Sequence, residues 1–509
     1  MLLLGIDVGT SSIKVSVMDT TAGNILATAQ YPEAETEILT LQHGWAEQSP
    51  DLWWEQVQKA ILICNQQKKY DPLQIAAIGI AYQMHGLVIV DENQHSLRNS
   101  IIWCDSRAVA IGEEALQHLG TEKVLAQLLN SPGNFTAAKL AWVKQNEPAV
   151  FAKIKKVMLP GDYIAMKLTG EITTSISALS EGIFWDFKHN CLSKDIMDHF
   201  GFDYSIIPEI KPVFSSHGQV KGSIAAHLGL KSGIPVTYKS GDQPNNALSL
   251  NVTQPGEVAA TAGTSGVIYG ITDHLLSDRQ SRVNTFANVN HTLSTQRLGV
   301  LLCINGTGSM YRWTKNIFGA GMDYTAMNRA ANEIAAGSDG LYVLPFGNGA
   351  ERMLGNKIVG AHLQYLDLNI HKPAHIFRAV QEGIAFSFRY GLDILRENGM
   401  RPAVIRAGKT NLFLSDLFSQ TFVDITGVPV ELFNSDGSLG ACIGAGIGLG
   451  FYKTPGEAFQ HHQPVKVIEP SGKNLEDNYE HWKKLLQLQL NTLSTITKPI
   501  KHEYNEPKN

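Results

Sequence analysis

No apolar run in the sequence approaches the roughly 18 residues a membrane-spanning helix needs. The nearest, Leu439 to Tyr452, is short and dense in glycine and reads as a tightly packed internal helix. Cysteine is scarce: five residues (Cys64, Cys104, Cys191, Cys303 and Cys442), none in CxxC spacing, which excludes a disulfide framework or a zinc site of familiar pattern. Basic clusters are missing too, and a formal net charge of −5 argues against nonspecific nucleic-acid binding. The N-terminus lacks a basic n-region and carries Asp7 where a signal core would run, so no secretory signal is read and a cytoplasmic protein is expected. No GxGxxG stands between a strand and a helix, which disfavours a nicotinamide dehydrogenase. What is left, 17% charged and 44% hydrophobic over 509 residues, fits a globular chain of two or more domains without a membrane partner.

Leu2 to Asp19 is the first stretch that carries chemistry. Leu2, Leu3, Leu4, Ile6 and Val8 read as a buried strand, and Ile13, Val15 and Val17 alternate behind it as a second. Gly9, Thr10, Ser11 and Ser12 between them suit a tight hairpin whose backbone N–H groups converge on an anion. Asp7 stands just before that turn and Lys14 just after it. Donors, hydroxyls and a cation suit a phosphate, and a carboxylate beside them suits a metal ion; an ordinary hairpin with a satisfied aspartate is the competing reading. Glu257 to Gly270 repeats the pattern, with Gly263, Thr264, Ser265 and Gly266 at the turn. Two such turns, each opening a domain-sized segment, predict a duplicated fold with two phosphate-binding hairpins facing each other.

Along the chain, Ser49-Pro50-Asp51 predicts a capped helix start ahead of the apolar stripe Leu52, Trp53, Val57, Ala60 and Ile61. Ile75 to Ala81 reads as a buried strand ending in Tyr82, Gln83, Met84, His85 and Gly86, the place where open α/β sheets put ligand contacts. Trp103, Asp105 and Arg107 fall at a further strand-to-helix junction. Two readings stand at both places: ligand contacts, or a satisfied core histidine and a structural ion pair. Val236 to Lys239 reads as a strand running into Ser240, Gly241, Asp242 and Gln243. A carboxylate there projects into a cleft as a catalytic base or caps the helix that follows. In the second half, Gly299 to Ile304 is a strand, Ala374 to Glu397 a long helix, and Ala403 to Thr410 nearly satisfies the Walker A pattern. Ala403, Val404 and Ile405 look like the strand itself, so a strand and turn with a nucleotide laid against Gly408 and Asn411 fits better than a P-loop. The tail after Pro464 reads as charged, partly helical and frayed at its polar end.

Taken together these residues resemble the FGGY carbohydrate kinases, of the actin/hexokinase-like superfamily, from residue 1 to about 460. The resemblance rests on Asp7 to Ser11, Glu47-Gln48 with Trp53-Trp54, Gln83 to Gly86, Trp103 and Asp105, Leu159 to Glu171, Gly241 to Gln243, and Gly263 to Gly266. It implies an α/β chain of two domains (1–246 sugar-binding, 247–509 nucleotide-binding) in a ribonuclease H-like arrangement. Each domain would hold a mixed five-stranded sheet, with ATP in the cleft between them. It implies that Asp242 takes the proton of the sugar's terminal hydroxyl, and that Asp7 organises Mg²⁺. Gly9, Thr10, Ser11 and Lys14 would lie by the transferred phosphoryl, Gly263 to Gly266 would hold the nucleotide phosphates, and Gly308 would line the nucleotide site. Met84, His85, Gly86, Trp103, Asp105 and Gln243 would line the sugar pocket. Within the family the Met-His-Gly stretch is similar to kinases of ketopentoses, D-xylulose above all; ribulose, gluconate or erythritol are the alternatives, and relatives often form homodimers. An actin- or chaperone-like ATPase is the reading from another class. One departure stands out: Arg406 and Ala407 occupy positions where the family has Gly-Gly, which puts the nucleotide contacts of that segment in question.

Overall fold

The computed structural model describes residues 1–460 and 462–495. The frayed end expected of the tail lies outside the described residues. Strands β1 (Leu2–Val8) and β2 (Ile13–Asp19) form the expected hairpin, and β3 (Asn24–Tyr31) adds to β2 antiparallel. On the other side β4 (Ile75–Tyr82) and β5 (Val236–Gly241) continue parallel, giving the order β5-β4-β1-β2-β3. A strand buried on both faces reads as a continuous apolar run, which is why β1 shows no alternation. Leu2, Leu4, Ile6 and Val8 pack toward helix α1 (Pro50–Gln66) and helix α2 (Pro160–Thr169), while Leu3 faces the other way. The Ser49 hydroxyl accepts from Leu52 N–H and starts α1 where the sequence places it.

After β5 the chain enters helix α3 (Asp242–Ser249) and then a second sheet. Strands β6 (Val258–Ala262) and β7 (Gly266–Thr272) repeat the hairpin, β8 (Asn284–Ala287) and β9 (Leu298–Ile304) follow, and β10 (Ile405–Gly408) and β11 (Val430–Phe433) run parallel to β6. With β12 (Lys466–Ile468) the order is β8-β9-β7-β6-β10-β11-β12. The inner five strands reproduce the pairing of the first sheet, so the duplication holds. The expected five-stranded count does not: among the described residues this sheet has seven strands, one added at each edge. An open edge invites pairing with another chain, and β8 is closed by side chains of the first half. Asn130 and Ser180 accept from the N–H groups of Thr285 and Ala287, and Asn130 and Ser177 donate to their carbonyls.

Helices α4 (Gly308–Phe318), α5 (Tyr324–Asn332) and α6 (Pro373–Glu397) cover the second sheet, and α7 (Gly437–Gly448) is the glycine-dense helix. Helix α7 does not stay with the sheet that precedes it; it packs on β1, β4 and β5 of the first. Gly5 and Gly79 make that possible. A Cβ on either would lie 2.0 Å from a carbonyl oxygen of α7, of Ser438 and Ala441 respectively. The boundary expected between residues 246 and 247 falls inside α3, which is continuous to Ser249. No helix among the described residues is long and apolar enough to cross a membrane.

Candidate active site

The first Gly-Thr-Ser turn is closed by Gly9 N–H donating to Ser12 C=O at 3.1 Å. Its position is locked by side chains from three elements. Thr10 Oγ1 donates to Gln83 Oε1, Gln48 Nε2 donates to the Thr10 carbonyl, and Trp103 Nε1 donates to Thr10 Oγ1 at 2.9 Å. Ser11 is exposed beside them, and Trp103 is 49% exposed over the turn. Asp7 and Lys14 sit opposite each other in the β1–β2 register. Lys14 does not stand free: its Nζ donates to Asp436 Oδ2 at 2.6 Å, at the N-cap of α7. Burial and then the neighbouring Asp436 push the Asp7 carboxyl up to about 6, against the pull of Lys14. Asp436 goes the other way. Burial works against it, but Lys14, the Ser438 hydroxyl and Leu439 N–H hold it below the ordinary carboxylate value.

Asp242 is the first residue of α3, and Gly241 occupies the cap position without any capping side chain. Asp242 is therefore not the N-cap residue, though its carboxylate meets the Gln243 N–H. Burial and then Asp7 raise it to about 7, with Gln243 amide groups pulling it partly back. Met84 is buried and packs on Gly241. His85 adopts a positive φ of 62° and is held by Glu181, whose carbonyl accepts from Nδ1 at 3.0 Å and whose carboxylate accepts from the His85 N–H. Gly86 packs beneath on Pro160. Burial, then Lys139 and Arg352, drives the imidazole down to about 3. With its proton on Nδ1, a neutral ring presents Nε2 as an acceptor. Asp105 is the correction. Its side chain is fully buried, and its oxygens accept from Ala46 N–H, Arg107 N–H and the Arg107 guanidinium, so the ion-pair reading holds and it has no oxygen free for a pocket.

The second turn is tied to the start of α4. Gly263 C=O accepts from Gly308 N–H at 2.9 Å and from the Thr307 hydroxyl at 3.0 Å, and Thr264 C=O accepts from Ser309 N–H. Gly263, Thr264, Gly308 and Asn411 line a cavity of about 600 Å³, closed further by α4, α5 and Leu412 to Leu417. Of the residues expected there, Ser265 and Gly408 are not on its wall, and Gly266 is buried under Phe388 and Thr307, where it lets β7 start. Helix α3, which Asp242 opens, packs against β4 and β5 of the first sheet and β6 and β7 of the second, so it runs between the two sheets.

Models of the FGGY family of carbohydrate kinases match both halves: the N-terminal domain over residues 2–249 and the C-terminal domain over 258–449. The chain belongs to that family. The xylulose kinase of Lactococcus lactis is 29% identical to it over 95% of this chain and 96% of its own. The xylulose kinase of Staphylococcus epidermidis is 30% identical over 94% of each. Among solved structures, a kinase of Brucella ovis described as a xyloylose kinase superposes with a TM-score of 0.85 at 25% identity, covering 97% of this chain and all of its own.

In this carbohydrate kinase the Arg406–Ala407 departure leaves the cavity untouched. Arg406 pairs with Glu257, just before β6, and with Glu431 on β11, and Ala407 is buried in the core. The near-Walker stretch is strand through Gly408, so no phosphate loop forms there. Three groups of the kinase's site escaped sequence reading. Asp436 and Gly437 reach Asp7 from α7; Thr307 ties down the second turn; and Tyr311 and Tyr324, stacked at 5.5 Å, wall the cavity. The tyrosines lie on amphipathic helices whose pattern signals only packing. Asp436 carries a capping signal ahead of a glycine-dense helix, but nothing in the sequence says which strand that helix meets.

Proposed function

We propose that the kinase transfers the γ-phosphoryl of ATP to the terminal hydroxyl of a ketopentose, D-xylulose first among them, with Asp242 as general base. The observation that carries this is Asp242 itself: a carboxylate at the start of a helix that runs between the sheets, raised to about 7 by burial and by Asp7. Transfer of a phosphoryl group asks the protein for alignment and charge neutralisation more than for covalent chemistry. The backbone donors of the first turn would face the transferred group, and the cavity behind the second turn would take the nucleoside. His85 Nε2 would accept from a sugar hydroxyl, and Asp242 would take the proton of the attacking one. The choice of xylulose among sugars rests on the Met84-His85-Gly86 stretch and on the names of the relatives.

Asp7 and Asp242 suit a divalent cation, since burial raises both, Asp7 raises Asp242 further, and a positive ion beside them would relieve both. Among the described residues no trio of acidic, imidazole or thiol groups gathers into a cage. The donor set therefore fits Mg²⁺ held chiefly by water and phosphate oxygens, which is that ion's habit. When bound it would neutralise phosphate charge.

Two measurements test the reading. ADP release, followed across D-xylulose, D-ribulose, D-gluconate and erythritol, should depend on the sugar and be fastest with D-xylulose; release indifferent to every sugar would favour the actin- or chaperone-like ATPase. A pH profile tests the base. A carboxylate accepts a proton only when ionised, and this one is raised to about 7, so kcat/KM should fall as pH drops below that value and level off above it. A flat profile between about pH 5.5 and 8.5 counts against Asp242 as the base.

A further inference from the structure

We infer that Arg352 selects the acceptor by taking a carbonyl oxygen, keto or carboxylate, at the end of the sugar away from the phosphorylated hydroxyl. This rests on the sugar-kinase reading above and narrows it to acceptors with an α-hydroxycarbonyl end.

Arg352 opens a short helical turn, Arg352–Leu354, in the loop between Phe346 and Gly360. Its base is rigid. The preceding Glu351, fully buried, accepts from Asn305 N–H and Gly306 N–H at 3.0 Å, and so is turned away from its neighbour. Well-shielded arginines elsewhere are matched with acids: Arg107 with Asp105 and Glu47, Arg378 with Glu382, Arg282 with Asp278. Arg352 is half-buried, and its guanidinium has no carboxylate, carbonyl or hydroxyl partner among the described residues. A partly desolvated cation without a counter-group gains from a bound ligand that supplies oxygen acceptors.

Its surroundings say which part of the ligand it meets. The guanidinium carbon lies 6.0 Å from the centroid of Phe135, whose ring is set edge-on to His85 at 4.8 Å. Arg352 is felt by His85 and by Cys303. Cys303 feels both Arg352 and Asp242, so the guanidinium and the base share one cleft, the guanidinium entering it on the side of Phe135 and His85. Arg352 comes from the second half of the chain, so an acceptor reaching from Asp242 to Arg352 touches both.

The two groups on that side, His85 and Arg352, are complementary. His85 Nε2 only accepts, and a guanidinium only donates, in a planar fork that fits C=O. A 2-ketose offers a C1 hydroxyl beside a C2 carbonyl; an aldonate offers a C2 hydroxyl beside a C1 carboxylate. A polyol offers hydroxyls alone.

The test compares the full-length wild type with Arg352→Gln and Arg352→Lys on D-xylulose, D-gluconate and xylitol, with ADP affinity measured by calorimetry as the folding control. Wild type should prefer a carbonyl acceptor over xylitol by at least about tenfold in kcat/KM. Arg352→Gln should raise the KM of that acceptor about 10- to 100-fold, the range for losing a charge-assisted hydrogen bond, with kcat within a few-fold and a smaller loss for xylitol. Arg352→Lys should fall between, and it carries the test if the Gln variant fails to bind ADP. Whichever of the ketose and the aldonate suffers assigns the keto or carboxylate source. An unchanged KM, a loss confined to kcat, or an equal loss with xylitol overturns the assignment of Arg352. A wild type that phosphorylates nothing in the panel refutes the proposed function instead.

Discussion

Asp242→Asn is expected to lower kcat by at least about 10²-fold while the KM for sugar changes only a few-fold. Asparagine keeps the shape at the first position of α3 and cannot accept the proton. The backbone should not react, because the cap position belongs to Gly241 and an asparagine carbonyl can still accept from the Gln243 N–H that the carboxylate meets. A stability readout separates this from general damage. The folded carboxyl sits at about 7, above its ordinary value of 3.8, so folding favours the protonated form. Such a group supports the fold at low pH, and its contribution is lost as pH rises through about 7. The neutral Asn escapes that loss. The variant should therefore melt higher than wild type above that pH, with the gap closing as pH falls toward 4. Turnover at the wild-type rate in a well-folded variant would remove Asp242 from the role.

Gly437→Ala should cost about 10²-fold in kcat with little change in melting temperature. A Cβ at Gly437 would lie 2.1 Å from Asp7 Oδ2 and 3.3 Å from Oδ1. The glycine starts α7 with a φ outside the left-handed region, so alanine suits the backbone and improves helix propensity. Only space is at issue, and what must yield is the tip of a short side chain. Rotation of the Asp7 carboxylate spares the fold but displaces a group that alignment depends on, and a shift of about 1 Å is enough for a loss of that size. Full activity in this variant would mean that the position of Asp7 is not critical; a collapsed melting temperature would mean that the clash falls on the backbone instead.

The parts of this molecule that could be read in its sequence share one property: their signal is local. β1 is a continuous apolar run because both its faces are covered, and the Gly-Thr-Ser turns declare themselves by composition. Asp242 stands out because glycine and a strand precede it. The parts that could not be read are long-range. Lys14 meets Asp436 across 422 positions, and no local pattern marks such a pair. Asp105 was ambiguous because an acid two residues from an arginine is the same string whether it binds a ligand or its neighbour; only the enclosure by Ala46 and Arg107 decides. The edge strands β8 and β12 are four and three residues long, too short for a period to emerge. Arg352 gave no signal because its significance lies in what does not surround it.

The docking of α7 on the first sheet has a consequence for how the enzyme comes into being. Ser16 and Ser438 share a hydrogen bond across 422 positions, as do Lys14 and Asp436. On the ribosome, the strand that bears Asp7 emerges well before the helix that finishes its surroundings. Contacts so far apart along the chain are slow to find one another. The strand that holds Asp7 thus waits for a much later segment before its surroundings are complete.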